Sequence, residues 1–568
     1  MISSLASAVL NGERAVVLFF VARVVLSLPL SLLPYGISLC ILTVTALAIE
    51  IRVDGCPSAV PFRTRPGASS GILLGAATLP AVLLSKLIQL WRAFLLDQVS
   101  SEEIHYLKML YWTASASCIG VLLFLTICMQ RSSSQSSIHA HAHHNTNFII
   151  SCITVYGALC FVCLMTISQL GLQHAFNISL VLFHGLAAVI LIQHSLKTFP
   201  SCASIGEALL VTAGLVLYSG DMLACSLVKV NEKFVLSDLI SSWFGNKRSE
   251  RSIIIQGLLL GLLFFPLVFK FMLQIMEAAM SGGSTTVAQN EYRRSILFFA
   301  SLALFSTVVI PSWMRFTQDF TSHPFLWVLS FILGEPVKRL TLCIYWVGLI
   351  CASVFRFYNV SKNSKTERIL LRKYYHLLAV SMFSPALIFQ PEFLDLAFGF
   401  ALAVFLALEI IRVWKIWPFG KLIHQFMNAF TDHRDSDLLI VSHFSLLLGC
   451  ALPIWMSFGY NDRPLAPFAG ILSLGIGDTM ASMVGHKYGV LRWSKTGKKT
   501  IEGTAAGITS VLVACSILLP LLASTGYLWT QHWFSLLFAV TVSGLLEAYT
   551  TQLDNAFIPL VFYSLLCL

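Results

Sequence analysis

Apolar runs of about 20 residues recur along the chain, each interrupted by a short polar stretch. A bilayer core about 30 Å thick is crossed by about 20 helical residues, and a helix satisfies its own backbone polar groups in hydrocarbon. The pattern predicts spanning helices over about 14–33, 35–51, 70–97, 108–129, 147–168, 176–197, 207–229, 253–276 and 295–314. It continues over about 339–356, 374–390, 393–412, 438–459, 465–484, 503–524, 529–547 and 555–568. The run from Phe325 to Leu333 is too short to cross and reads as re-entrant or as part of a bent helix. The expected fold class is all-α, a polytopic transmembrane helical bundle of about 14 to 18 helices.

Composition agrees with this pattern. Of the 568 residues, 57% are apolar and 11% charged, with a mean hydropathy of +0.79; an ordinary soluble domain carries about 25% charged residues. The formal net charge is +10, but the Lys and Arg residues sit in short stretches between spans, as the positive-inside rule expects. No basic stripe with interleaved aromatics accompanies them, so nucleic acid is not an expected partner. The 14 cysteines are scattered mostly through apolar runs, where free Cys behaves as a small hydrophobe. Cys160 and Cys163, the one C-x-x-C, read as packing, and the group His139, His141, His143 and His144 reads as a solvated Ser-rich loop. The N-terminal segment lacks the pattern of a cleaved signal peptide.

Three basic stretches orient the later spans. Arg356 to Lys373, the 412–437 stretch and the 485–502 stretch are rich in Lys and Arg and are expected on the cytosolic side. Two spans separate each from the next, and an even number of crossings returns the chain to the same face. Two further spans, 503–524 and 529–547, then bring Glu547 and Asp554 back to that face.

The densest polar information lies in Gly477-Asp-Thr-Met-Ala-Ser-Met-Val-Gly-His-Lys-Tyr-Gly489 and the following Ser494-Lys-Thr-Gly-Lys-Lys-Thr-Ile-Glu-Gly-Thr504. Asp478 ends an apolar run, where an ionisable side chain is a functional candidate. Gly485 and Gly489 permit close backbone approach, and Lys495, Lys498 and Lys499 offer point charges for phosphates. Phosphoryl transfer needs a carboxylate for magnesium, cations for the triphosphate and a positioned acceptor. The same residues also fit a positive-inside loop with a Gly-rich turn. Neither a G-x-x-x-x-G-K-[ST] loop nor the H-R-D-L-x-x-x-N and D-F-G elements of protein kinases occur.

The order Asp478-x-x-Ala481-x-x-x-Gly485-x-x-x-Gly489, then Lys499-Thr500-Ile-Glu502-Gly503-Thr504, resembles the cytidine-nucleotide-binding segment of dolichol kinases. It resembles more loosely that of the wider polyprenol kinase and phosphatidate cytidylyltransferase superfamily. Arg372-Lys-Tyr-Tyr-His376 looks like the basic-His entry to the catalytic half, Glu409-x-x-Arg412 like its charged helix end, and Glu547 to Pro559, with Asp554-Asn555, like its closing element. The resemblance covers about 372–559 of the chain and implies a kinase using CTP, with Mg2+ or another divalent cation, on the hydroxyl of dolichol. It implies Asp478, His376, Arg372, Glu409 and Asp554 as catalytic residues, with Asp478 as metal ligand. It implies Gly477, Ala481, Gly485, Gly489, Lys495, Lys498, Lys499, Thr500, Glu502, Gly503 and Thr504 as the nucleotide site. Residues 1–355 are then a multi-span region without a recognised motif, and 356–568 a catalytic membrane domain whose CTP loop spans about 475–504. The expected location is the endoplasmic reticulum membrane, with the active site facing the cytosol.

Structural readings stand beside these. Arg372 and His376, at i and i+4, also fit an interfacial pair. Glu409 and Arg412 can neutralise each other, and Asp554-Asn555 can simply start a helix. Asp221, in an apolar context, reads as helix-to-helix satisfaction. A long extra membrane region ahead of the catalytic half favours dolichol kinases over phytol and farnesol kinases. The rival readings are a short-chain prenol kinase, a cytidylyltransferase and, more distantly, a transporter, for which inverted repeats would be expected.

Overall fold

The computed structural model describes residues 11–56, 60–135, 172–231, 248–279, 287–363, 368–428, 439–493, 499–524 and 532–568. The expected span 147–168, the His cluster, Cys160, Cys163, Lys495 and Lys498 lie outside them. Among the described residues the chain is helical apart from turns and one isolated antiparallel bridge, Arg492 to Thr500. Ten of these helices are long and apolar enough to cross a membrane, and four apolar helices are shorter. The protein is therefore an all-α polytopic membrane protein. The helix Pro324–Gly334, at 11 residues, rises about 17 Å and cannot cross alone.

Two compact units make up the chain, one formed by 1–220 with 452–568 and the other by 221–451. This division by packing is a different cut from the functional one expected at residue 355. In the first unit the helix Ile72–Phe94 has 94% of its most apolar window buried. Its small residues allow this: Gly75 lies against the backbone of Gly206, and a methyl group on either glycine would collide with the opposing chain. Its polar side chains are matched by the C-terminal part of the same unit. Ser85 bonds Ser564 at 2.7 Å, Lys86 Nζ donates to the Tyr460 carbonyl at 2.7 Å, and Gln89 Nε2 donates to Asp462 Oδ1 at 2.7 Å. Interhelical hydrogen bonds in membranes average about 0.6 kcal/mol, so this ladder sets helix register more than it adds stability.

In the second unit Phe265, Phe269 and Phe298 form an aromatic core with Ile411 and Ile416, against which Trp414 packs. Prolines open the helices Pro324–Gly334, Pro336–Asn363 and Pro391–Trp414, where the missing N–H costs nothing. Asp221 accepts from both terminal nitrogens of Arg248 and from Gln256 Nε2, which is the helix-to-helix satisfaction expected of it. The basic stretch 356–373 is mostly helical rather than a loop, since Pro336–Asn363 and Arg368–Phe389 run into it. A helix bonds itself as well beyond the hydrocarbon as within it, so hydropathy marks where a span leaves the lipid, not where its helix stops.

Candidate active site

The polar segment begins on a π-helix, Ile471–Asp478, which continues directly into the α-helix Thr479–Tyr488. π-helical turns are rare and concentrate at functional sites. Asp478 is the last π-helical residue and is buried, with Ser482 Oγ donating to its Oδ1 at 3.5 Å. The neighbouring Thr479 hydroxyl is fully buried and has no hydrogen-bond partner.

Small residues then hold two helices together. A Cβ on Gly503 would stand 2.6 Å from the Ala481 carbonyl and 3.0 Å from Gly485 Cα, and one on Gly507 would stand 3.0 Å from the Gly477 carbonyl. Gly477, Ala481 and Gly485 thus form one face of a close crossing with Gly503 and Gly507 of the helix Ile501–Ser524, the small-x-x-x-small geometry of membrane helices. Gly489 lies against Gly485 and Thr500. The crossing assigns these small residues to helix packing, and the close approach they permit is between backbones.

The crossing projects the loop that follows. Trp493 N donates to the Lys499 carbonyl at 3.2 Å and Ile501 N to the Leu491 carbonyl at 2.8 Å, closing the loop. Glu502 accepts from the Leu491 amide at 3.0 and 3.2 Å, and Thr500 Oγ1 accepts from Gly503 N at 3.2 Å. Trp493 Nε1 donates to Thr504 Oγ1 at 2.9 Å. Lys499 Nζ reaches the start of the closing element: it donates to the Glu547 carbonyl at 2.6 Å and lies 3.4 Å from Glu547 Oε1 and 4.0 Å from Asp554 Oδ2. Asp554 opens the helix Asp554–Leu566, and its Oδ1 also takes the Asn555 amide at 3.1 Å.

Below this cluster the π-helix and the helices Ile501–Ser524, Trp533–Tyr549 and Asp554–Leu566 line a small, half-open cavity. Thr504 and Glu547 line it at the Lys499 end, and Ile508, Val511, Val540 and Phe562 line it further along. Its two serines are spent on their own helices, Ser473 on the Ala469 carbonyl and Ser543 on the Ala539 carbonyl. Among the described residues that line it, Glu547 is the one acidic group.

Three candidates lie in the other compact unit. His376 is buried in the helix Arg368–Phe389; Arg372 is on the same helix, its side chain outside the described residues. Glu409 and Arg412 form a buried two-pronged ion pair, Nε to Oε2 at 2.7 Å and Nη2 to Oε1 at 2.6 Å, and Glu409 also takes the Ile440 amide at 3.0 Å. Losing one partner of such a pair costs about 3–5 kcal/mol, and the Ile440 amide bond to Glu409 ties the end of the helix Pro391–Trp414 to the segment that carries Ile440.

A family model for dolichol kinase matches residues 152–453, more than half of the chain. An Arabidopsis thaliana protein named dolichol kinase EVAN is 60% identical over 565 residues, 99% of both chains. This chain belongs to the dolichol kinase family. The human dolichol kinase is 31% identical over 387 residues, 65% of this chain and 66% of that one. Dolichol kinase sec59 of Schizosaccharomyces pombe is 35% identical over 287 residues, 48% of this chain and 55% of that one. No solved structure matches.

The dolichol kinase family model stops before Asp478, so the segment Gly477 to Thr504 rests on its own residues and on the whole-length relative. Two features of this family member were not singled out as site residues from the sequence. Glu547 stood only as the start of the closing element, although a carboxylate at the end of an apolar span was a signal of the same kind as Asp478. Thr479 gave no signal, because a threonine in a helix is ordinary until its hydroxyl is found buried without a partner.

Proposed function

We propose that this chain transfers the γ-phosphoryl group of CTP to the terminal hydroxyl of dolichol, giving CDP and dolichyl phosphate for lipid-linked sugar carriers of protein glycosylation. The observation that carries the reaction is the 60% identity to a named dolichol kinase over 99% of both chains. The choice of CTP rests on the resemblance of Asp478 to Thr504 to a cytidine-nucleotide segment. The location in the endoplasmic reticulum rests on the resemblance to dolichol kinases, and the cytosolic facing of the site on the basic stretches beside the spans.

In this reading Lys499, together with Lys495 and Lys498 of the same loop, holds the triphosphate, and the glycine crossing fixes where that loop leaves the membrane. Asp478 suits a magnesium ion, which takes hard oxygen ligands and is usually held by one or two carboxylates plus substrate phosphates. Its buried carboxylate supplies such oxygens; among the described residues there is no three-residue His, Cys, Asp or Glu cluster. The ion would neutralise charge on the phosphates. The acceptor hydroxyl sits at the Thr504 and Glu547 end of the cavity, with its first isoprene unit toward Val511 and Phe562. Glu547 takes the proton as the alcohol oxygen attacks the γ-phosphorus, and the bond to the β-phosphate oxygen breaks to release CDP. Arg372, His376, Glu409 and Asp554 complete the proposed catalytic set, with residues 356–568 as the catalytic part.

The test is transfer from γ-labelled CTP or ATP to a panel of prenols and diacyl lipids by the purified protein. Labelled dolichyl phosphate and CDP are expected. Release of pyrophosphate would mark a cytidylyltransferase, and transfer from ATP alone would overturn the nucleotide assignment.

A further inference from the structure

The four residues Thr550 to Leu553 join the helix carrying Glu547 to the helix opening at Asp554, and none of them was singled out as a site residue from the sequence. Each is nevertheless bonded to the N-terminal part of the chain. Thr550 Oγ1 donates to Glu13 Oε1 at 3.4 Å. The Thr551 carbonyl accepts from Arg65 Nη2 at 2.8 Å, and its hydroxyl accepts from the Ser69 amide at 3.0 Å. Gln552 Nε2 donates to the Ser69 carbonyl at 3.0 Å, and its Oε1 accepts from Ser204 Oγ. The Leu553 amide donates to Glu207 Oε1 at 2.7 Å, and the same oxygen takes Arg65 Nη2 at 2.7 Å.

Arg65 and Glu207 are 6% and 3% exposed, so each has lost its hydration and depends on the other and on this loop. Two glycines mark how closely the parts fit. Gly71, at φ +63°, lies beneath the Gln552 side chain, and Gly12 beneath the Tyr549 ring, and a Cβ on either would collide with that side chain. Tyr549 in turn packs on Trp493 of the motif loop, ring centres 5.1 Å apart.

We infer that Arg65, Glu207 and Gln552 are positioning residues for phosphoryl transfer: the N-terminal region clasps the loop 550–553 and so sets where Glu547 and Asp554 stand around Lys499. The inference rests on the proposed roles of those three charged residues. The clasped loop is short, so a shift of its backbone moves the flanking carboxylates with it, and a misplacement of 1 Å at a reacting group costs about 100-fold in rate. It gives the motif-free N-terminal region a part in the reaction.

The test uses the full chain in detergent with lipid, measuring kcat, KM for CTP and dolichol, and the melting temperature. Arg65→Met should lower kcat about 30-fold or more with both KM values within about threefold, and Arg65→Lys, which keeps a donor, should recover to within about fivefold. Gln552→Ala breaks the clasp without stranding a buried charge, should fold normally, and should lower kcat about tenfold; it decides the matter if Arg65→Met does not fold. Wild-type kcat in folded Gln552→Ala or Arg65→Met would overturn the inference, as would a loss accounted for wholly by the unfolded fraction. Glu547→Gln is measured in parallel. If it is inactive while the clasp variants keep wild-type kcat, the clasp alone is wrong; if it is fully active, the site assignment fails and the inference with it.

Discussion

The motif loop and the residues flanking the loop 550–553 meet at Lys499, yet the two loops are held in opposite ways. Within the motif loop the bonds are local: Leu491 to Glu502 and Trp493 to Thr504 each join residues 11 positions apart, and Thr500 to Gly503 joins residues 3 apart. The bonds of the other loop reach 346 positions to Glu207, 486 to Arg65 and 537 to Glu13. A loop that builds its own scaffold needs particular residues at particular spacings, and so it reads as a motif. A loop held by distant partners needs only backbone groups and a few polar side chains, and its partners leave no local spacing to read. The comparison shows that a lack of motif in the N-terminal region says little about its share in the site.

The largest effect expected on the motif side is that of Asp478→Asn. The amide keeps the shape and loses the charge that a magnesium-phosphate complex needs, so turnover should fall about 1,000-fold or more while membrane insertion and expression stay near wild type. Activity assayed on equal amounts of inserted protein decides it, and wild-type turnover would remove Asp478 from the site.

Lys499→Ala comes next and acts where the two loops meet. It removes a cation from the phosphates and also leaves the Glu547 and Asp554 carboxylates without the ammonium between them. The expected result is a rise of about 10- to 100-fold in KM for CTP, with a smaller change in KM for dolichol. A steady-state titration of both substrates reads this directly. A change confined to the dolichol KM would move Lys499 to the acceptor side.

The smallest effect belongs to the clasp side. Burial, then the nearby Glu50 carboxylate, push the Glu13 carboxyl up to about 7. Because the folded protein holds this proton more tightly than the unfolded chain does, the associated stability is full below about 4.5 and is lost as pH rises through about 7. Melting temperature should therefore fall between about pH 5 and pH 7, and Glu13→Gln, which cannot ionise, should show a smaller fall. An equal fall in both proteins would show that Glu13 does not titrate in that window.

Much of the molecule was legible in the sequence. Hydropathy alone gave an all-α membrane protein, because hydrocarbon leaves a buried backbone few alternatives. The order of Asp478, Ala481, Gly485, Gly489 and Lys499 to Thr504 pointed to a kinase family, because those residues serve one another at short range. What the glycines do was decided only by the packing: they bring the helices Thr479–Tyr488 and Ile501–Ser524 into backbone contact. So was the placing of Lys499 between Glu547 and Asp554, since each of those residues has many possible partners until the helices are arranged. The clasp of Arg65, Glu207 and Gln552 lies furthest from the sequence. A hydrogen bond between residues hundreds of positions apart leaves no spacing to read, and only the tertiary structure brings donor and acceptor to within 3 Å.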